Sequence, residues 1–307
     1  MISFENPRKE ILEAINAVLD GGQFIGGEFV EAFENEWADY CGVKHCVGVG
    51  NGTDAIFIAL KAIGVGVGDE VITAANTYVG TANAILATGA TPVYVDCGLD
   101  YNIDPEKMNI TGKTKAIIPV HLYGRPANMP RIMSKAKKAG VYVVSDCAQA
   151  HGATIRGINV AQFGDLATFS FYPTKNLGAL GDAGAIVGNS HLLHKCRELA
   201  NQTELGQYNS RLDPIQAAIL SVKLNYLDKY IAQRIQRAFE YNRTLKGFDI
   251  VKPEMLKGHV WHQYVIRTKQ RDELMRLFKG SKIHYPTPLA PTPNATQFAS
   301  EILSLPL

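Results

Sequence analysis

Residues 166–187 read LATFSFYPTKNLGALGDAGAIV. An apolar run, Leu166–Phe171, stops at Tyr172-Pro173, and a second, Gly184–Val187, follows a glycine-punctuated loop that carries Lys175. Short apolar runs bounded by Gly and Pro read as buried strands. Working outward, the same signature recurs at Lys44–Val49, Glu70–Ala74, Pro92–Asp96, Lys115–His121 and Val141–Asp146. Helical patterns separate several of these runs, such as Thr53–Ile63 closed by Gly64 and Asn128–Ala139 closed by Gly140. Glycine just past the last periodic residue is the usual helix stop. Such alternation implies right-handed crossovers and a mostly parallel sheet covered by helices on both faces. The fold class is α/β, with seven strands in the sheet.

Past Asp213 the pattern changes. PIQAAILSVKLNYLDKYIAQRIQRAFEYNRTLK, residues 214–246, places Leu and Ile on one side and charge on the other, as one long helix or two. A strand-like run, His259–Arg267, a helix, Arg271–Phe278, and an irregular proline loop, Pro286–Pro293, come next. This predicts a large domain over 1–228 and a small α+β domain over 229–307. A chain of 307 residues with a hydrophobic fraction of 46% can fill both cores.

Charge and cysteine usage exclude several classes. Thirty-one basic residues against 29 acidic ones leave a formal charge of +2, so neither sign dominates and no nucleic-acid or membrane binding is expected. Cys41, Cys46, Cys97, Cys147 and Cys196 form no CxxC pair and no zinc spacing. They read as reduced thiols of a reducing compartment. The opening MISFENPRKEILEA carries acids and helical periodicity where a signal peptide needs an apolar block. No run approaches the roughly 20 apolar residues of a membrane span. The expected location is cytoplasmic.

Three features bear on chemistry. Asp146 closes the apolar run that begins at Val141, at the strand end where open parallel sheets bind ligands. A buried carboxylate needs a cationic or hydrogen-bonding partner, and a protonated pyridine nitrogen is one. Capping a helix that starts near Ala148 is the equally weighted alternative. Gly52-Thr53 opens a helix after a strand, and the free N–H groups there favour a phosphate. GVGNGT nonetheless fails the dinucleotide fingerprint, so simple turn chemistry stands beside that reading. Lys175, ordinarily a solvated surface charge, becomes a nucleophile toward carbonyls when desolvated. Ser170, at the same strand end, can offer a hydroxyl to a phosphate. His191 with His194, and His259 with His262 around Trp261, lack a third ligand, so no metal site is expected. His121 and His151 read as core residues.

The segments NGTDA, NTYVGTANAI, VSDCAQAHGA, FSFYPTKNLGALGDAGA, YNSRLDPIQAAIL and IHYPTPL follow one another along the chain. In this order they resemble the DegT/DnrJ/EryC1/StrS family of nucleotide-sugar aminotransferases, which share the fold-type I scaffold of aspartate aminotransferase. The resemblance covers nearly the whole chain. It implies pyridoxal 5'-phosphate as cofactor, bound covalently by Lys175, with Asp146 paired to the ring nitrogen. Gln149 would lie against the ring and Tyr78 on its opposite face, while Gly52, Thr53 and Ser170 would hold the phosphate. It also implies a homodimer whose Asn209 reaches the neighbouring subunit's phosphate. Arg211 and His284 would contact substrate; a structural ion pair and a loop hydrogen bond are their other readings. The implied reaction moves an amino group from an amino acid, glutamate, to a nucleotide-linked keto-deoxysugar.

The chain departs from the family pattern at its periphery. NQTELGQY before Asn209 and PTPNATQF after His284-Tyr285-Pro286 are shorter than the family's loops, as is the stretch ending at Leu307. Two alternatives follow: a scaffold, natural or engineered, that binds the cofactor without turning over, and a sugar dehydratase relative. Dehydratases of the family carry histidine in place of the lysine, so Lys175 speaks against the second.

Overall fold

The computed structural model describes residues 7–189 and 191–307. Two helices, α1 (Arg8–Gly21) and α2 (Glu28–Cys41), lead into strand β1 (His45–Val49). Helix α3 (Gly52–Ala62), β2 (Glu70–Ala74), α4 (Val79–Ala87), β3 (Thr91–Val95) and β4 (Thr114–Ile118) follow. Next come α5 (Met129–Ala139), β5 (Tyr142–Asp146) and a small hairpin, β6 (Thr154–Ile155) with β7 (Ile158–Asn159). Strands β8 (Leu166–Ser170) and β9 (Gly184–Gly188) complete the main sheet. Its order is β1-β9-β8-β5-β4-β2-β3. All neighbours run parallel except β9, which is antiparallel to both β1 and β8.

The seven strands lie where the apolar runs predict them, within a few residues at each end. One run is shorter than expected: β4 stops at Ile118 because Pro119 has no N–H to give the ladder. The Gly140 stop is a left-handed cap at φ 67°, where its N–H reaches the carbonyls of Ala136 and Lys137.

Both faces of the sheet are packed. On one, Trp37 of α2 meets Phe169 edge-on at 4.9 Å and Phe171 at 5.3 Å. All three are buried, and they form a rigid bed under the loop that carries Lys175. Burying each is worth roughly 1.5–3 kcal/mol. On the other face, Ile56, Leu60 and Ile85 pack against Val71, Ile118 and Val144.

The carboxyl-terminal third holds α6 (Leu192–Ala200), α7 (Pro214–Leu224), α8 (Leu227–Thr244), β10 (Tyr264–Arg267), α9 (Arg271–Leu277), α10 (Pro293–Glu301) and β11 (Ile302–Leu305). The long helical stretch is therefore two helices, parted at Asn225-Tyr226. The expected strand His259–Arg267 begins only at Tyr264, because Trp261 adopts φ 50° and breaks the extension. PTPNATQF is not a bare loop: most of it opens α10. Strands β10 and β11 pair antiparallel, and β11 went unread in the sequence. Ala238, Tyr241, Tyr264, Leu274 and Leu303 share a separate core, while Ala295 and Phe298 of α10 dock into the core of the main sheet. His191 precedes α6 as its N-cap, and no cluster of three or more metal-ligating side chains occurs among the described residues. All five cysteines are buried and unpaired.

Candidate active site

A cleft of about 500 Å³ opens at the carboxyl ends of the parallel strands. It gathers Gly52, Thr53, Tyr78, Asp146, Gln149, Ser170, Lys175 and His284 from five separate stretches of chain. Eight of the ten expected site residues thus meet in one place. Arg211 and Asn209 do not line it: Asn209 is exposed on the segment before α7, and Arg211 makes no ion pair among the described residues. Their neighbour Ser210 is buried, accepting from the Gly50 N–H (3.0 Å) and donating to Asp54 (2.7 Å), which ties that segment to the start of α3.

One end of the cleft is built by close approach. Gly52 opens α3, whose cap Asn51 accepts from the Asp54 N–H at 2.9 Å. A Cβ on Gly52 would lie 2.6 Å from the Cβ of Ser170, so only glycine brings this helix start against the end of β8. Gly80 does the same for α4, since a Cβ there would meet the Thr53 hydroxyl at 2.8 Å. Hydroxyls of Thr53 and Ser170 therefore stand beside the N-terminus of α3. Free N–H groups, the helix dipole and two hydroxyls form a donor set for a phosphate. Here the structure raises a weak sequence signal to a built cradle.

The other end is a buried carboxylate. Asp146 is only 4% exposed. Its backbone is pinned by Asp146 N–H to Pro119 O (2.9 Å) and by His121 N–H to Asp146 O (3.0 Å). One carboxylate oxygen accepts from the Ala148 N–H at 3.1 Å, the other from the Thr81 hydroxyl at 3.0 Å. Burial raises its pKa above the usual carboxylate value; these two donors and the Lys175 charge oppose that without reversing it. Such a group is under-compensated until a cation joins it. Thr81 was not singled out from sequence, although it lies inside NTYVGTANAI. Its spacing on α4, four residues past Thr77, is the trace it leaves.

Lys175 stands between these ends. It is half-buried, and its amine makes no hydrogen bond or ion pair among the described residues. Desolvation pulls its pKa down to about 8, against the pull of the Asp146 charge. Gln149 forms a wall: its carbonyl accepts from the Tyr123 N–H and its amide donates to the Tyr285 hydroxyl, both at 2.6 Å. Tyr285, a further residue that sequence reading passed over, sits at φ 57° with its ring stacked 6.2 Å from Tyr123. Tyr78 caps α4, is 55% exposed, and faces the same Tyr285 at 6.2 Å. A flat ring with an anionic tail and a basic nitrogen matches this layout of wall, phosphate cradle and buried acid. The residues fit pyridoxal phosphate.

The family model for the DegT/DnrJ/EryC1/StrS aminotransferases matches residues 5–307. The chain belongs to that family. It is 44% identical to a pleiotropic regulatory protein of Geobacillus stearothermophilus, over 99% of this chain and 91% of that protein. It is also 44% identical to a dTDP-3-amino-3,6-dideoxy-alpha-D-galactopyranose transaminase of Aneurinibacillus thermoaerophilus, over 98% and 90% respectively. A crystal structure of S. venezuelae DesV in complex with a ketimine intermediate superposes with a TM-score of 0.93 at 40% identity. That match covers 98% of this chain and 89% of DesV. The alignment to the Geobacillus protein runs over 337 positions, more than the 307 residues of this aminotransferase, so that relative carries residues this chain lacks. The shorter loops read in the sequence agree with this.

Proposed function

We propose that this aminotransferase moves an amino group from glutamate to a nucleotide-linked keto-deoxysugar, using pyridoxal 5'-phosphate held by Lys175. The observation that carries the reading is the desolvated, unpartnered amine of Lys175 facing the buried Asp146 in the same cleft as a phosphate cradle. When bound, the cofactor supplies an electron sink for the carbanion at the substrate's amino-bearing carbon. The chain supplies the rest.

Lys175, its pKa drawn down to about 8 by desolvation, would hold the cofactor and accept or give a proton at its amine near neutral pH. Asp146 holds the proton on the ring nitrogen, gaining the cation that its burial lacks. Thr81 and the Ala148 N–H keep that carboxylate aimed. Gln149 and Tyr78 enclose the ring from two sides. Gly52, Thr53 and Ser170 bind the phosphate. His284, half-buried at the mouth, is the residue that would meet the sugar nucleotide, while Arg211 lies outside the cleft lining and would need the substrate to extend past it.

The rim supports an active homodimer. Tyr78, Val79, Tyr172 and Leu180 are exposed apolar side chains around this cleft and its neighbour, and Asn209 stands outside its own cleft. A two-fold partner would cover the first group and receive Asn209 in its phosphate cradle. The boundary between a large unit, residues 1–228, and a small one, residues 229–307, falls at the start of α8 in this reading. The buried free cysteines suit a cytoplasmic setting.

The test is spectroscopic. Adding pyridoxal phosphate gives a visible band, and borohydride fixes the cofactor on Lys175 alone, as peptide mapping reads. In a separate, unreduced sample glutamate bleaches the band, and a dTDP- or UDP-linked keto sugar restores it. A colourless protein at excess cofactor overturns the reading; a band that glutamate leaves untouched overturns the transfer reaction while leaving cofactor binding intact.

A further inference from the structure

Nothing among the described residues holds the Lys175 amine directly, so its aim is set by the loop that carries it. That loop, residues 171–179, is neither helix nor strand. Two backbone bonds shape it, Lys175 N–H to Tyr172 O and Ala179 N–H to Phe171 O, both at 2.8 Å. Gly178 packs so closely on the Pro173 carbonyl that a Cβ would sit 2.5 Å away. The Lys223 amine also donates to the Gly178 carbonyl and the Tyr172 N–H to the Ser170 hydroxyl (3.4 Å), and the side chain next to the lysine, Asn176, supplies a further anchor.

Asn176 is buried, and both ends of its amide are met by one short segment that is remote in sequence. Its nitrogen donates to the Val260 carbonyl at 3.2 Å, and its oxygen lies 3.2 Å from His262 Nδ1. Since a carbonyl only accepts, the amide nitrogen must face Val260, and His262 must then carry its proton on Nδ1. Burial, reinforced by the charges of Lys175, Arg234, His151 and His284, keeps the imidazole from taking a second proton.

The segment itself is held in an uncommon shape. Trp261, between the two contacts, has φ 50°, a costly conformation for a bulky residue. It is fixed by the Trp261 N–H to His259 Nδ1 bond (3.0 Å) and by stacking of those two rings at 3.8 Å. Arg234 of α8 donates to the Trp261 and His262 carbonyls. The same segment braces the opposite wall: Val260 N–H bonds Gly124 O (3.0 Å) and Gln263 N–H bonds Tyr123 O (3.2 Å). Tyr123 is the residue whose N–H holds Gln149. One strained turn thus contacts the lysine loop and the glutamine wall together.

We propose that Asn176 and His262 form a positioning pair that aims Lys175 into the cleft, with residues 260–263 fixing its spacing from Gln149. The proposal rests on the reading of Lys175 as the lysine that binds the cofactor. It differs from ordinary core packing in requiring a donor at the Nδ1 position, whatever else fills the volume.

That requirement gives the experiment. An asparagine at position 262 can place an N–H where Nδ1 stands, whereas a glutamine carries its donor one methylene further. His262→Asn and His262→Gln are compared with Asn176→Leu and the parent, each loaded with pyridoxal phosphate. The readouts are the rate of covalent capture, the visible circular dichroism per bound cofactor, and the melting temperature of the cofactor-free protein. We expect His262→Asn to stay within about twofold of the parent. His262→Gln and Asn176→Leu should slow capture about tenfold, the loss of one buried hydrogen bond, and weaken the visible signal. His262→Gln provides the check if Asn176→Leu does not fold. Equal capture and equal visible signal in the Asn and Gln variants overturn the positioning pair, even where both melt lower than the parent. If borohydride fixes the parent's cofactor away from Lys175, the reading of the site falls first and the pair falls with it.

Discussion

Two buried aspartates sit at the ends of parallel strands: Asp96, just past β3, is 5% exposed, and Asp146, closing β5, is 4% exposed. Their surroundings differ. Asp96 accepts from Lys107 (2.8 Å), the Thr292 hydroxyl (2.7 Å) and the N–H groups of Asn294 (3.2 Å) and Ala295 (3.1 Å). Burial alone would raise its pKa, but these four donors outweigh it and hold the carboxyl at about 2. Asp146 has two donors, no ion pair within contact, and a raised pKa. The same residue type at the same kind of position is a finished joint in one case and an unfilled demand in the other. Asp96 caps α10 and clamps the carboxyl-terminal segment onto the main sheet; Asp146 waits for a cation from outside the chain.

The largest effect separates the two by activity. Asp146→Asn keeps the packing volume but removes the charge that, on the proposed pairing, would hold the ring nitrogen protonated, so turnover should fall roughly a hundred- to a thousandfold. The cofactor-free variant should be at least as stable as the parent at neutral pH. A carboxyl whose folded pKa is raised takes stability away as pH climbs above its ordinary value near 3.8, and the amide ends that loss. Turnover equal to the parent's would make Asp146 a cap like Asp96 and dissolve the contrast.

Asp96→Asn should show the reverse. Its folded pKa is depressed, so its contribution is complete above about pH 4 and is lost as the pH falls toward 2. At neutral pH the substitution costs between about 1 and 2 kcal/mol, discounted because Lys107 is partly solvated. Denaturant midpoints measured from pH 7 to pH 2 should converge for parent and variant at the acid end. A gap that stays constant with pH would assign the loss to packing instead of charge. Turnover per folded molecule should stay close to the parent's.

Half of this contrast was open to reading in the sequence. Asp146 follows an apolar run in VYVVSD, and a strand end in a parallel sheet is a local signal. Lys175 stands out for a related reason: proline and glycine break a strand around it. Asp96 also ends an apolar run, yet nothing near it announces its partners at Thr292–Ala295, because that contact exists only once the carboxyl-terminal segment has docked. For the same reason the short ILSL of β11 does not read as a strand without β10 beside it. Gly52 is intermediate. Its turn is visible, but the need for glycine comes from Ser170, which only the fold brings near. Local punctuation was legible; contacts made by docking were not.

The smallest effect comes from a matched pair of hydroxyls. Thr81 donates to Asp146 and Thr292 to Asp96, so Thr→Val at each position removes one donor while nearly preserving shape. For Asp96, three donors remain, the Lys107 ion pair among them, and the loss is that of one hydrogen bond, about 1 kcal/mol of stability with turnover unchanged. For Asp146, only the Ala148 N–H remains, and the carboxylate is freer to turn away from the ring nitrogen. In the cofactor-free protein the raised pKa climbs further, which leaves the group more often neutral and softens the penalty. Thr81→Val should therefore melt within a degree or two of the parent yet lose several-fold in turnover. The same several-fold loss should appear as weaker cofactor retention on dilution. If both variants lose stability alike and neither loses turnover, the two aspartates are the same kind of joint and the demand assigned to Asp146 is not there.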